Sequence, residues 1–165
     1  MPKNLLLVRH GKSDWSHTNL TDFDRPLNKR GKENAPEMAE RLIQRGVPLS
    51  LIVSSPAKRA KSTAKVFAKA FGFDSIRLDE RIYEANSKTL LSVINGFDDS
   101  AETIAVFGHN PGFTDLVNEL SDAGLYNIPT AGMVLIKFEF DSWKMISRGT
   151  GMLEFFDYPK NTDEM

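Results

Sequence analysis

Three polar stretches of the chain each contain groups that could bind and transfer a phosphoryl group. Arg9 and His10 follow one apolar run, Arg59 lies a few residues beyond a second, and His109 follows a third. An imidazole can act as a nucleophile, and guanidiniums bind phosphate oxygens in pairs. Each of these residues alone is more often a solvated or hydrogen-bonded surface group. Their joint occurrence after three similar apolar runs is what favours a phosphate site.

The apolar runs predict buried strands, which must position these groups. The predicted strands are 5–8, 49–53 and 103–107, with a shorter one at 76–78. Because strands alternate with helical patterns, we expect an α/β fold: a three-layer α/β/α sandwich around a mostly parallel sheet. The carboxyl ends of parallel strands lie at the edge of a sheet where ligands bind. We therefore expect Arg9, His10, Arg59 and His109 to converge on one pocket.

Four segments have the apolar spacing of amphipathic helices, and most have recognisable caps. The predicted caps and stops are Asn28 and Gly46 for the first helix, Ser55 and Gly72 for the second, Gly96 for a short third over 89–94, and Asn110 for the fourth. Pro56 and Pro111 are the predicted first helical residues of the second and fourth helices. Both of these helix N-termini would offer unpaired N–H groups to an oxyanion.

The C-terminal part of the chain predicts an antiparallel edge for the sheet. Residues 133–140 and 143–147, joined across Asp141 and Ser142, are typical of a hairpin. Residues from about 157 to 165 are expected to form a frayed tail. No linker divides the chain, so residues 1–165 are predicted to form a single domain.

The composition limits the classes of function. The net charge of −1 argues against general nucleic-acid binding, which needs a broad basic surface. The absence of cysteine excludes disulfides, thiolate zinc sites and cysteine nucleophiles. Neither a signal peptide nor a membrane-spanning stretch is evident, so we expect a cytoplasmic protein that does not bind membranes.

Residues 12–26 form a polar loop without a clear period, and long loops of this kind are often functional or mobile. Trp15 is interpreted as an anchor of this loop. His17 is interpreted as an ordinary polar-loop histidine without a partner. Whether the loop closes over the pocket is left open by the sequence.

The chain resembles the histidine phosphatase, or phosphoglycerate mutase-like, superfamily over nearly its whole length. The resemblance is carried by the Leu-Val-Arg-His-Gly start, which contains the Arg-His-Gly (RHG) motif, by residues 54–64 and by residues 108–112. The short length, the Pro-Thr-Ala-Gly sequence at 129–132 and Lys-Ser-Asp-Trp at 12–15 make the chain most similar to the small SixA-type phosphohistidine phosphatases.

The resemblance implies a role for each residue of the predicted pocket. His10 would be the nucleophile and would form a phosphohistidine intermediate that water hydrolyses. Arg9, Arg59 and His109 would hold the phosphoryl group, and Asn110 is placed with them as a phosphate-binding residue. The resemblance implies no metal ion and no other cofactor, because the cationic side chains take the place that a metal would have.

The proton donor to the leaving group has two candidates in the sequence. The wider family has a glutamate in the loop after the third strand, and Glu84 lies at that place in this sequence. A solvent-exposed loop carboxylate beside Glu80 is the alternative interpretation of this residue. Asp14 is the second candidate for the acid.

The resemblance implies a phosphatase, and three departures from the mutase pattern favour phosphohistidine on a signalling protein as its substrate. Lys12 replaces a glutamate, Ser16 replaces an asparagine, and the insertions that enclose a small sugar acid are missing. The alternatives are a phosphatase of small phosphoesters with the same chemistry, or a non-catalytic phosphate- or phosphoprotein-binding module. The module needs cations but no nucleophile, so His10 argues against it. Nucleotide binding of the Rossmann type is excluded, because residues 108–112 lack the glycine fingerprint that it requires.

Overall fold

The apolar runs of the sequence form strands of one six-stranded sheet in the computed structural model, which describes residues 1–160. In chain order the elements are β1 (Lys3–Arg9), α1 (Lys29–Gln44), β2 (Leu51–Ser54), α2 (Lys58–Phe71), β3 (Arg77–Leu78), α3 (Ser87–Asn95), β4 (Thr103–Gly108), α4 (Gly112–Leu120), β5 (Met133–Phe138) and β6 (Met152–Asp157). Two single 3-10 turns lie at Glu80–Ile82 and Trp143–Met145.

The sheet has the order β3-β2-β4-β1-β5-β6. The first four strands in this order run parallel, whereas β5 is antiparallel to β1 and β6 is antiparallel to β5. β1 lies inside the sheet, and the side chains of its four central residues are fully buried. The predicted, mostly parallel sheet with an antiparallel edge is confirmed.

Helices cover both faces of the sheet and explain why β1 is apolar without alternation. Successive residues of a strand point to opposite faces, so both sets of side chains need apolar partners. Leu6 and Val8 pack in the cluster that contains the apolar faces of α1 and α2. Leu5 and Leu7 pack in the cluster that contains α3 and α4. The α/β/α layering is therefore confirmed; within residues 1–160, no helix is both long and apolar enough to cross a membrane.

Two helices begin later than predicted. α2 begins at Lys58 with Ala57 as its N-cap, and the hydroxyl of Ser55 accepts a hydrogen bond from the Ala57 N–H (3.2 Å). α4 begins at Gly112, although the Asn110 side chain still accepts from the Thr114 N–H (3.1 Å). The Ser55 hydrogen bond lies in the turn that precedes α2, whereas Asn110 still caps the first turn of α4 from one residue further away than predicted.

The predicted second strand of the C-terminal hairpin is wrong. Trp143–Met145 form a 3-10 turn, and the strand that pairs with β5 is β6. The Asn95 amide donates to the carbonyl oxygens of Trp143 (2.8 Å) and Ile146 (3.0 Å), and the Trp143 indole is buried with its Nε1 donating to Ala101. Two backbone carbonyl oxygens that a strand would use for pairing in the sheet are therefore bonded to α3 instead.

The start of the C-terminal tail is held more firmly than expected. Asp157, where fraying was predicted to begin, is a buried residue of β6 and forms an ion pair with Arg41 of α1 (3.0 Å). Arg41 also donates to the carbonyl oxygens of Tyr158 and Pro159. Residues 161–165 of the predicted tail lie outside the described residues.

Candidate active site

The carboxyl ends of β1 and β4 and the start of α2 bring Arg9, His10, Arg59 and His109 to one cavity of about 390 Å³. The ring centroids of the two histidines lie 5.2 Å apart. The cavity is also lined by Lys12, Ser13, Trp15, Arg25, Asn28, Asn110 and Thr130. The predicted convergence of these four residues is therefore found in the structure.

The surroundings of His10 select one neutral tautomer. Nδ1 lies 2.7 Å from the carbonyl oxygen of Gly11, which can only accept, so Nδ1 carries the hydrogen. The Arg59 Nε–H donates to Nε2 (3.4 Å), so the Nε2 lone pair lies on the side of Arg59. Burial lowers the pKa of His10 to about 3 against the opposing effect of the Gly11 hydrogen bond, and the charges of His109 and Arg59 lower it further. The sequence did not reveal the Gly11 acceptor.

Two glycines allow the His10 loop to pack closely against α1. A Cβ on Gly31, in the first turn of α1, would lie 2.2 Å from the carbonyl oxygen of Lys12. A Cβ on Gly11 would lie 3.1 Å from Cα of Gly31. The Gly11 N–H also donates to the Thr63 hydroxyl (3.1 Å), which in turn donates to the carbonyl oxygen of Arg59 (2.8 Å). The backbone that positions His10 is therefore tied to the helix that carries Arg59.

Arg59 is buried between His10 and the 12–26 loop. Its Nη1 donates to the backbone carbonyl of Asp22 (2.6 Å), and its Nη2 donates to the Asp22 carboxylate (3.0 Å). Arg59 was predicted to bind phosphate, whereas Asp22 was not recognised as part of the site. The only feature of the sequence that points to Asp22 is its place in the long polar loop that follows β1 and His10.

Arg9 and His109 each have one buried nitrogen, Nε and Nδ1 respectively, without a hydrogen-bond partner in the described part of the chain. One other nitrogen of each side chain has a protein partner: Arg9 Nη1 donates to the Ile128 carbonyl (2.9 Å), and His109 Nε2 lies 2.8 Å from the Ser55 hydroxyl. Burial lowers the pKa of His109 to about 4, and the positive charge of Arg59 adds to this effect. Burial and Arg59 also lower the pKa of Arg9.

Asn110 lines the cavity, but protein groups already use its amide. Its Nδ2 donates to the Ile128 carbonyl and to the Asn127 side chain, both at 2.9 Å, and its Oδ1 accepts from Thr114. The Ile128 carbonyl is also the acceptor for Arg9. Asn110 thus holds the loop that orients Arg9, and its predicted contact with phosphate stays a prediction.

Neither candidate for the proton donor lines the cavity. Glu84 is exposed and has a left-handed backbone (φ 55°), although the ring of the preceding Tyr83 lies 5.6 Å from that of His109. Asp14 accepts two hydrogen bonds from Ser16 and lies 3.4 Å from His17 Nε2. The expectation that His17 has no partner is therefore wrong, and the identity of the acid stays a prediction.

The 12–26 loop contributes several cavity residues whose role the sequence did not reveal. The Arg25 guanidinium stacks over the Trp15 ring (3.6 Å to the centroid) and donates to the Ser13 hydroxyl and to Asp22 (2.7 Å). The stacking on Arg25 agrees with the interpretation of Trp15 as a loop anchor, although 76% of the Trp15 surface is exposed at the edge of the cavity.

Sequence comparisons agree with the resemblance. The family model for the histidine phosphatase superfamily (branch 1) matches residues 5–90. An uncharacterized chloroplastic protein of Arabidopsis thaliana is 30% identical over 152 residues, which are 86% of this chain and 69% of that protein. A 2,3-bisphosphoglycerate-dependent phosphoglycerate mutase of an Arthrobacter species is 33% identical over 112 residues, which are 66% of this chain but only 43% of the mutase.

The fold is also similar to a solved structure of nearly the same length. The crystal structure of a candidate phosphohistidine phosphatase, SixA from Agrobacterium tumefaciens, superposes with a TM-score of 0.79 at 28% sequence identity. The match covers 96% of this chain and 99% of that chain.

Proposed function

The chain belongs to the histidine phosphatase superfamily, and on that premise we propose that it is a phosphatase with His10 as its nucleophile. The Nε2 lone pair attacks phosphorus, and the bond to the leaving group breaks with its electron pair passing to that group. Water then attacks the phosphohistidine, which releases inorganic phosphate and returns the lone pair to Nε2. The observation that carries this proposal is the buried, neutral His10, whose Nδ1–H is fixed by the Gly11 carbonyl.

The surrounding cations supply the electrostatic part of the proposed mechanism. Arg9 and Arg59 lie beside His10, where they would stabilise the charge on the equatorial oxygens of the transferred group. The unpartnered nitrogens of Arg9 and His109 are buried polar groups that an oxyanion could satisfy. This cationic pocket supports the proposal that the reaction needs no metal ion and no other cofactor.

We propose phosphohistidine on a protein as the substrate. Imidazole is a good leaving group, so its departure depends less on a strong acid than the departure of an alkoxide does. A substrate with little need for an acid fits a cavity that neither Glu84 nor Asp14 lines. The likeness in fold and length to the Agrobacterium tumefaciens structure supports the same choice, and neither nucleic acid nor membrane is a proposed partner. The cytoplasmic location stays a prediction.

A phosphatase of small phosphoesters is the second candidate, and the identity with the phosphoglycerate mutase favours it. The match covers only 43% of that mutase, so the likeness does not extend to the whole of it. A phosphate-binding module without turnover is the third candidate.

Phosphate release, measured with a chelator present, separates these candidates. The substrates are a phosphohistidine-bearing protein and a simple aryl phosphate, and the variants are His10→Ala and, as a matched control, His17→Ala. We expect preferential turnover of the phosphoprotein by the wild type and the control, with none by His10→Ala. Turnover of the aryl ester alone would favour small substrates, and no turnover of either would favour the binding module.

A further inference from the structure

One carboxylate outside the predicted catalytic set contacts three groups around the site. Asp22 Oδ2 accepts from Arg59 Nη2 (3.0 Å) and from the Tyr83 hydroxyl (2.6 Å), and Oδ1 accepts from Arg25 Nη2 (2.7 Å). The backbone carbonyl of the same residue accepts from Arg59 Nη1 (2.6 Å). Few surface acids are fixed from this many directions, so Asp22 is a candidate for a role in the reaction.

The two contacts with Arg59 determine how its guanidinium is oriented. A guanidinium is a rigid planar fork, so fixing both Nη atoms fixes the direction of Nε as well. In this orientation Nε lies 3.4 Å from Nε2 of His10, the atom that would carry the phosphoryl group. Asp22 contacts the Nη atoms, and the Nε side of the fork stays directed at the nucleophile.

Asp22 also connects Arg59 to the His109 side of the cavity. The Tyr83 hydroxyl donates to Asp22, and the Tyr83 ring lies edge-on to His109, with 5.6 Å between the centroids. Phe23, the next residue of the loop, contacts the same tyrosine ring at 5.2 Å. The loop therefore reaches Arg59 and His109, two of the predicted phosphate-binding residues, through one carboxylate and one tyrosine.

The charge on Asp22 is retained in this setting. Burial acts to raise the pKa of the carboxyl, but hydrogen bonds from Tyr83, Arg25 and Arg59 outweigh it and hold the pKa well below its usual range. Burial and the neighbouring Asp22 raise the pKa of Tyr83, so the phenol keeps its proton. Asp22 therefore supplies a negative charge between two arginines, which reduces the repulsion of packing them beside Arg9.

We propose that Asp22 is a positioning residue, which holds the Arg59 guanidinium so that its Nε donates to the phosphoryl group transferred to His10. The inference rests on the proposed function, because it takes Nε2 of His10 as the reacting atom. The competing role is a plug, in which the Asp22 carboxylate occupies the place of a phosphate oxygen and must leave before substrate binds. The two roles predict opposite changes in vanadate affinity when the carboxylate is removed: weaker binding for a positioning residue and tighter binding for a plug.

The test compares Asp22→Asn and Asp22→Ala with Asp24→Asn, an exposed acid of the same loop. The measurements are kcat, KM and the inhibition constant of orthovanadate. We expect Asp22→Ala to lower kcat and weaken vanadate inhibition by roughly 10- to 100-fold, because small misplacements of a positioned group have effects of this size. Asp22→Asn keeps one acceptor oxygen and should lose less, and Asp24→Asn should match the wild type. Tighter vanadate binding by Asp22→Ala would overturn the proposal and support the plug.

A double-mutant cycle with Arg59→Ala separates positioning from a general structural role. If Asp22 acts through Arg59, adding Asp22→Ala to Arg59→Ala should produce almost no further loss of kcat. A further loss as large as in the wild-type background would contradict the proposal. If the wild type turned over no substrate, the proposed function would fail, whereas binding of vanadate or inorganic phosphate to the same variants would still report whether Asp22 orients Arg59.

Discussion

The site combines two regions that differ in how they are held. Arg9 ends β1, His10 follows β1 and His109 follows β4, and the side chains of these two strands are almost entirely buried. Asp22 and Trp15 belong instead to the largely exposed 12–26 loop. The ends of that loop are joined by backbone hydrogen bonds, from Asp14 to Pro26 (2.8 Å) and from Asn28 to Lys12 (2.9 Å). The comparison indicates that the sheet places His10, while the loop contacts the groups around it from the exposed side of the cavity.

Among the buried groups around His10, the largest expected effect is the loss of Arg59. Arg59→Ala should lower kcat/KM by roughly 10²- to 10³-fold, the usual range for removing a donor to a developing negative charge. It should also weaken inhibition by orthovanadate, and the exposed neighbour Lys58→Ala provides the matched control. A loss of rate with unchanged vanadate inhibition would argue against direct phosphate binding by Arg59.

Substitution of the candidate proton donors tests whether groups outside the cavity take part in the reaction. We expect Glu84→Gln to lower turnover of an alkyl phosphate about 10²-fold, since an alkoxide needs a proton, and to affect phosphohistidine much less. Glu80→Gln, an exposed acid of the preceding turn, is the control, and Asp14→Asn tests the second candidate. Equal rates for Glu84→Gln and Glu80→Gln would remove Glu84 from the mechanism.

The close packing beside His10 can be disturbed without changing a polar group. The Cβ of Gly31→Ala would lie 2.2 Å from the Lys12 carbonyl, so we expect a loss of about 1–3 kcal/mol in the free energy of unfolding. Gly96→Ala is the control, because the nearest atom to its Cβ lies 3.5 Å away. Denaturant titration measures both variants, and equal stabilities would show that this contact relaxes at little cost.

The buried histidines should make stability depend on pH. Their folded-state pKa values, about 3 for His10 and about 4 for His109, lie below the ordinary value of 6.5. Between these limits the unfolded chain binds more protons, so stability falls as the pH drops below 6.5, by at most about 1.4 kcal/mol per pH unit for each histidine.

Substitution of one buried histidine checks this slope. His109→Gln should flatten the decline in the free energy of unfolding between pH 6.5 and pH 5 relative to the wild type. The same slope in the variant and the wild type would show that His109 is not held neutral by the fold.

The sequence predicted the groups at strand ends and missed those that depend on loop geometry. An apolar run followed by Arg9 and His10 determines both the strand and the edge at which these residues emerge, so their convergence with Arg59 and His109 follows from topology. The acceptor for His10 is a backbone carbonyl, which no side-chain pattern records. Asp22 and Arg25 approach the site through an irregular loop, whose path has no periodicity to interpret.

The C-terminal hairpin shows a second limit. Residues 143–147 have the apolar content of a strand, but the buried Trp143 and the carbonyl contacts made by Asn95 hold them as a turn against α3. Contacts between residues this far apart in the chain override local propensity. The start of α2 was misplaced by two residues and that of α4 by one. Ser55 accepts a hydrogen bond within the turn that precedes α2, whereas Asn110 accepts one from the first turn of α4.

Trapping the phosphorylated intermediate tests the central claim most directly. The enzyme is mixed with a radiolabelled phosphohistidine-bearing protein, quenched within the first turnover in alkaline denaturant, and the labelled residue is located by mass spectrometry. We predict that the label lies on His10 and is absent from His10→Ala. Turnover with no label on His10, or continued turnover by His10→Ala, would contradict the account.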